Sequence, residues 1–235
     1  MDTVKTPVML ALLFLSLAGT AEVLVDCDFS AGATTQGWTD VHQHTPPRGQ
    51  DYVLATETDG TFLHTAPIYF GISHRLSRPL VLNDKLVKVT VQVTFRQPKE
   101  HRGHPIGIAL SSRETVARDA GQAFWKLRDS GFLVNGYSHS LLNANWLCWQ
   151  RDGRQVRAPK AQSPHNLLLA LDTWTTWTLV YDHCAHRLDF FADATASMPC
   201  HSLYGVGLDG VELNSVWISA WGAEYRSVKV TVESK

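Results

Sequence analysis

A net charge is almost missing from this chain: 21 lysines and arginines stand against 22 aspartates and glutamates, a formal balance of −1 with histidine neutral. So even a balance projects no field that would gather a polyphosphate backbone or an anionic bilayer, which sets aside nucleic acid and acidic membrane surfaces as partners. Helical periodicity is scarce as well. Only Ser112 to Gln122 is compatible with a helix, and Ser111, Ser112 and Glu114 at its start read as a cap for free backbone N–H groups. No cysteines have Cys-x-x-Cys spacing and no histidines the helical His-x-x-x-His spacing, so no metal site is written in the sequence. The 11 histidines, including His42/His44, His101/His104 and His183/His186, read as loop residues. There is no Asn-x-Ser/Thr sequon, hence no N-glycosylation acceptor. What the chain does have is a 44% hydrophobic composition with only 18% charged residues, enough for a sizeable core.

Met1 to Ala21 carries Lys5, an apolar run from Val8 to Leu17, and then Ala18-Gly19-Thr20-Ala21. The run is too short for a stable membrane anchor and ends in small residues, so residues 1–21 read as a signal peptide. No later segment reaches membrane-spanning length, and residues 22–235 are expected as one soluble domain, secreted or otherwise outside the cytoplasm. In an oxidising compartment the four cysteines permit two disulfides in three connectivities. The favoured pairing joins Cys184 with Cys200, tying a hairpin to its following loop, and leaves Cys27 with Cys148; each closure is worth about 3 kcal/mol.

The clearest local pattern runs from Thr173 to Asp193. Trp177, Leu179 and Tyr181 alternate with threonines and Val180, and Leu188, Phe190 and Ala192 alternate with Arg187, Asp189 and Phe191, giving two strands around a polar turn at Asp182 to His186. Leu86 to Arg96 is cleaner still, with Val87, Val89, Val91, Val93 and Phe95 on one face and polar residues on the other. Val23, Val25, Cys27 and Phe29 are expected on one face of an opening strand. Tyr52 to Thr56 and Thr61 to Thr65 flank the Asp59-Gly60 turn signal; Ile68 to Leu76, Ile106 to Leu110, Phe124 to Arg128, Phe132 to Tyr137, Asn145 to Gln150, Val216 to Trp221 and Val228 to Val232 complete the series. Many short strands with turns between them and almost no helix predict an all-β, two-sheet antiparallel sandwich.

Several landmarks together resemble the concanavalin A-like lectin/glucanase superfamily, the jelly roll shared by legume lectins, laminin G-like domains and calreticulin-type lectin domains. They are Asp28-Phe29-Ser30 followed by Gly37-Trp38, then Trp174-x-x-Trp177-x-Leu179-x-Tyr181-Asp182, Arg187-Leu188-x-Phe190-x-Ala192-Asp193, and the closing Val228 to Val232 strand. The resemblance implies a jelly roll over most of Glu22 to Glu233 and says little about activity. The paired-carboxylate pattern of the superfamily's family-16 glucanases is absent, and Glu114, Glu212 and Glu224 are isolated in sequence, so the acid and nucleophile of retaining glycoside hydrolysis are missing. The arginine, Gln-x-His and tyrosine motifs of its alginate-lyase-like members are absent too.

The candidate sugar platforms are Trp125, Tyr137, Trp146, Trp149, Trp217 and Trp221, with His139, Asn145 and Arg151 as polar neighbours. An aromatic face stacks on the apolar face of a pyranose while amides and guanidinium groups bind its hydroxyls. Tyr137 and His139, sharing a strand face with Asn135, are the residue types that proton abstraction from a uronate would need, so a lyase is the enzymatic alternative. Asp26 and Asp28 offer oxygens for Ca²⁺, well short of the six or more that the ion takes. The leading expectation is an exported, non-catalytic carbohydrate-binding module without a cofactor; the alternatives are a polysaccharide-active enzyme and an adhesion or structural module.

Overall fold

The computed structural model describes residues 21–40, 52–65, 67–101, 105–114, 130–137, 146–157 and 170–235. In chain order its strands are β1 (Glu22–Asp28), β2 (Trp38–Asp40), β3 (Tyr52–Glu57), β4 (Gly60–Thr65), β5 (Pro67–Val81), β6 (Leu86–Arg96), β7 (Pro105–Ser111), β8 (Gly131–Tyr137), β9 (Trp146–Arg151), β10 (Arg154–Arg157), β11 (Thr175–Asp182), β12 (Arg187–Phe191), β13 (His201–Tyr204), β14 (Glu212–Trp221) and β15 (Glu224–Ser234). They form two antiparallel sheets. The first runs β13-β12-β11-β6-β15-β4-β3, with β1 also on β15; the second runs β10-β9-β8-β7-β14-β5-β2. Sequence neighbours such as β6 and β7 fall in different sheets, as in a jelly roll rather than a meander.

One continuous core fills the space between the sheets. Val89, Val91, Val93 and Phe95 of β6 are fully buried, as the period-2 pattern predicts, at about 1.5–3 kcal/mol for each large side chain removed from water. Trp177 of β11 packs its ring against Phe95 and Phe190 at centroid distances of 4.9 and 5.1 Å, both edge-on. The predicted hairpin forms with Asp182 opposite Arg187, and the turn is held by the Ala185 N–H donating to Asp182 Oδ1.

Two expectations are corrected. Val23 does not share a face with Val25, because the β1–β15 register shifts between them. This bulge leaves Val23 45% exposed and buries Leu24 and Val25 side by side. The four cysteines are free. Cys27 lies on β1 of the first sheet and Cys148 on β9 of the second. Cys184 sits in the β11–β12 turn near the Leu86 carbonyl, whereas the Cys200 N–H donates to Phe190 O at the other end of β12. The length of a five-residue strand, roughly 15 Å, therefore separates Cys184 from Cys200, about twice what a disulfide spans between Cα atoms.

The second sheet is buried on both faces at its centre. Val216 and Ile218 of β14 point into the core, yet Ser215, Trp217 and Ser219 between them are also 0–1% exposed. Ser112 to Glu114 cross the rim of this face as a strap. Three successive carbonyls of the strap accept hydrogen bonds from sheet side chains: Ser112 O from Asn214 Nδ2 (2.9 Å), Arg113 O from Ser215 Oγ (2.6 Å) and Trp217 Nε1 (2.8 Å), and Glu114 O from Ser73 Oγ (2.8 Å). Gly131, where β8 begins, sits so close to β7 that an added Cβ would lie 2.1 Å from Leu110 O, and its φ is +150°. Only glycine fits there. Of the segment expected to be helical, the described part is this strap; its remainder and Phe124 to Arg128 lie outside the described residues.

Candidate ligand-binding site

The β9–β10 hairpin turns tightly at Asp152 and Gly153, whose φ angles of +49° and +77° are those of a type I′ turn, the turn whose twist suits a two-residue hairpin. Asp-Gly is the sequence such a turn favours. β10 is short and is the end strand of its sheet among the described residues, and beside it lies a cleft of about 480 Å³ lined by Trp149, Arg151, Asp152, Arg154 and Val156.

Trp149 projects from the core-facing side of β9, between Phe132 of β8 and Val156 of β10 in register. It is half-buried against the core, and its ring edge meets Gly207, where a Cβ would stand only 3.3 Å from the indole. Its Nε1 is buried with no hydrogen-bond partner. Arg151 is held at the rim by Nη1 donating to Gly207 O (3.3 Å), with Asp152 Oδ2 at 3.7 Å from its Nε, while 44% of its side chain is still open to solvent. Val156 is 42% exposed beside them. An aromatic ring, an apolar shoulder and two guanidinium groups thus converge on one cleft. Such a surface stacks with a flat apolar face and donates hydrogen bonds around its edge.

Of the residues expected to bind ligand, the structure brings together Trp149 and Arg151. Trp217 is corrected: it is fully buried, and its Nε1 is committed to Arg113 O and to Ser215 Oγ (2.9 Å), so it offers no face to a ligand. Trp125, His139 and Asn145 lie outside the described residues. The backbone sets Tyr137 opposite Pro105, Trp146 opposite Asn135 and Trp221 opposite Pro67, with their side chains outside the description. Asn135 is fully buried, and neither its Oδ1 nor its Nδ2 has a hydrogen-bond partner.

The aspartates considered for Ca²⁺ have other roles. Asp28 Oδ1 accepts from Ser30 N (3.0 Å), Ser30 Oγ (2.6 Å) and Ala31 N (3.1 Å), closing the turn after β1, while Asp26 faces Lys229 at 3.5 Å. Among the described residues no three His, Cys, Asp or Glu side chains gather where they would hold a metal ion. Two of the three isolated glutamates are also engaged. Glu114 pairs with Arg75, and buried Glu224 pairs with Arg96, with His64 at 3.6 Å. Burial pushes the Glu224 carboxyl up, but His64 and Arg96 outweigh it and hold the group below its ordinary range. Trp174 is covered in its turn: Arg226 lies 4.0 Å and Arg96 4.9 Å from its ring centroid, and its Nε1 donates to Asp59 Oδ2 (2.8 Å).

No family model matches the chain, and no curated protein matches it significantly in sequence. Solved structures do match. The carbohydrate recognition domain of Emp47p superposes with a TM-score of 0.54 at 14% identity over 91% of this chain and 95% of that one. Lectin II from Ulex europaeus gives 0.53 at 9% identity over 91% and 100%, and arcelin-5, a lectin-like defense protein from Phaseolus vulgaris, 0.51 at 10% over 93% and 100%. The chain therefore has the concanavalin A-like lectin fold.

Proposed function

We propose that this chain is a non-catalytic, lectin-like domain of the exported compartment that binds carbohydrate at the β9–β10 cleft. Trp149 stacks on the apolar face of a sugar ring, and Arg151 and Arg154 bind its hydroxyls. The observation that carries this reading is the half-buried Trp149 beside Arg151 in an open cleft of a lectin-fold sandwich. The names of the Emp47p domain and of the Ulex lectin point the same way, at the level of a shared fold. The engagement of Glu114 and Glu224 with arginines supports a binding role over hydrolysis, since a carboxylate held in an ion pair is a poor general acid. Titration of the protein with neutral oligosaccharides by calorimetry tests the proposal. It predicts saturable binding that Trp149→Ala removes, and a Trp149→Ala variant that binds like the wild type overturns it.

A further inference from the structure

The cleft beside β10 is built from two rows of side chains. Trp149 and Val156 oppose each other in the β9–β10 register, and so do Arg151 and Arg154. Residues two apart on a strand share a face, and all four side chains line the one cleft. One row is apolar and the other cationic. The rows stand two residues, roughly 7 Å, apart along the strands.

The two arginines are not equivalent. Arg151 is committed, since its Nη1 donates to Gly207 O and its Nε faces Asp152, the one acid that lines the cleft. Arg154 is exposed and makes neither a hydrogen bond nor an ion pair. It is the exception among the arginines whose side chains are described: Arg75 pairs with Glu114, Arg78 with Glu22, Arg96 with Glu224, Arg187 with Asp189 and Arg226 with Asp59, and Arg113 has a partner too. Like charges set directly opposite on neighbouring strands repel. Asp152 offsets Arg151, so the charge of Arg154 is left over in the cleft. A guanidinium in this state presents a planar fork of N–H donors, which matches the two oxygens of a carboxylate better than a lone hydroxyl. A uronic acid carries its carboxylate at the edge of the ring, within reach of the cationic row while the C–H face of the ring lies on the apolar one. A neutral sugar offers only a hydroxyl there and leaves the surplus charge unmatched.

We propose that the cleft selects uronic-acid sugars, with Arg154 as the specificity-determining residue: its fork takes the ring carboxylate while the pyranose stacks on Trp149 and Arg151 serves the hydroxyls. The inference rests on the carbohydrate-binding reading of this cleft and adds to it the class of sugar. It is tested by calorimetry of the full chain and of three variants, R154A, R154K and W149A. The probes are a galacturonate hexamer and a glucuronate hexamer, each beside its carboxyl-reduced, neutral counterpart of the same linkage.

At least one uronate hexamer should bind about tenfold or more tightly than its reduced counterpart, because a charge-assisted hydrogen bond is roughly twice as strong as a neutral one. R154A should bring that ratio close to one while it holds the affinity for the reduced hexamer within a few-fold. R154K, which keeps the charge but not the fork, should fall between, and W149A should weaken both members of the pair. Equal binding of both members by the wild type, or a ratio that R154A leaves unchanged, overturns the selection and leaves the lectin reading standing. A ratio kept whole in R154K overturns recognition by the fork, since charge alone would then account for it. If no hexamer binds, or if W149A binds them all like the wild type, the carbohydrate reading of the cleft fails and the inference falls with it. Arg154 is exposed and without a partner, so its variants fold; melting temperatures close to the wild type verify this.

Discussion

Replacing Trp149 by phenylalanine and by alanine separates its two roles. Complete removal of a buried tryptophan costs about 3–5 kcal/mol. Trp149 is half-buried, so its truncation to alanine forfeits roughly 2 kcal/mol of packing by that scale. Its Nε1 is buried without an acceptor, a defect worth about 1 kcal/mol that either substitution relieves. Trp149→Ala should therefore lose only about 1 kcal/mol net, a drop of 2–4 °C in Tm for a domain of this size. Trp149→Phe should come out near zero, because the smaller ring forfeits about as much packing as the absent orphan N–H returns. Binding divides differently. The phenyl ring retains a stacking face and should hold the affinity for a neutral glycan within about tenfold, whereas alanine should lose more than that. Urea unfolding and calorimetry on the three proteins give both readouts. A Trp149→Phe variant destabilised by 2 kcal/mol or more would show that the indole N–H has a partner and would refute the reasoning.

Three further outcomes follow from the same structure. Trp217→Ala should cost about 3–5 kcal/mol in urea unfolding, because that ring is fully buried and also fastens the strap through Arg113 O. Glu224 is depressed in the folded state, so its contribution is present above the unfolded carboxylate pKa and is lost as pH falls through the lower folded value; Glu224→Gln should cost about 1–3 kcal/mol at pH 7, with the gap to wild type closing below about pH 4 in acid-unfolding curves. Thiol titration should find four free cysteines after unfolding, with the exposed Cys184 reacting first in the folded protein and Cys148 protected; recovery of two intact disulfides would contradict the arrangement.

Strands with one wet face were legible from sequence. The expected bounds of the Leu86–Arg96 strand coincide with β6, and the Asp182 to His186 turn sits where alternation stops, because there a one-residue slip would turn the core face to water. The pattern fails where both faces are covered. Trp217 and Val216 alternate in sequence yet are equally buried, so periodicity alone offered Trp217 as a platform while the strap, 102 to 104 residues away along the chain from Ser215 and Trp217, settled the matter. That Trp149 and Arg151 lie side by side was legible, because they stand two residues apart at the end of one strand, next to an Asp-Gly turn. The bulge in β5 was not. Its only local signal is Pro79 after Arg75 and Arg78, which ends the expected strand at Leu76, whereas β5 continues to Val81 through a bulge that only its pairing with β14 reveals. The cysteine pairing failed for a related reason: which sheet each cysteine enters is a property of topology.

The central claim, that this sandwich binds sugar and does not cleave it, is tested most directly by titrating the intrinsic tryptophan fluorescence of the protein with a panel of neutral and uronate-containing oligosaccharides while following product release in the same samples. A saturable change that vanishes in Trp149→Ala, with every oligosaccharide recovered intact, is the predicted result. Shortened or unsaturated products would make the protein an enzyme, and no spectral change with any sugar would contradict the account.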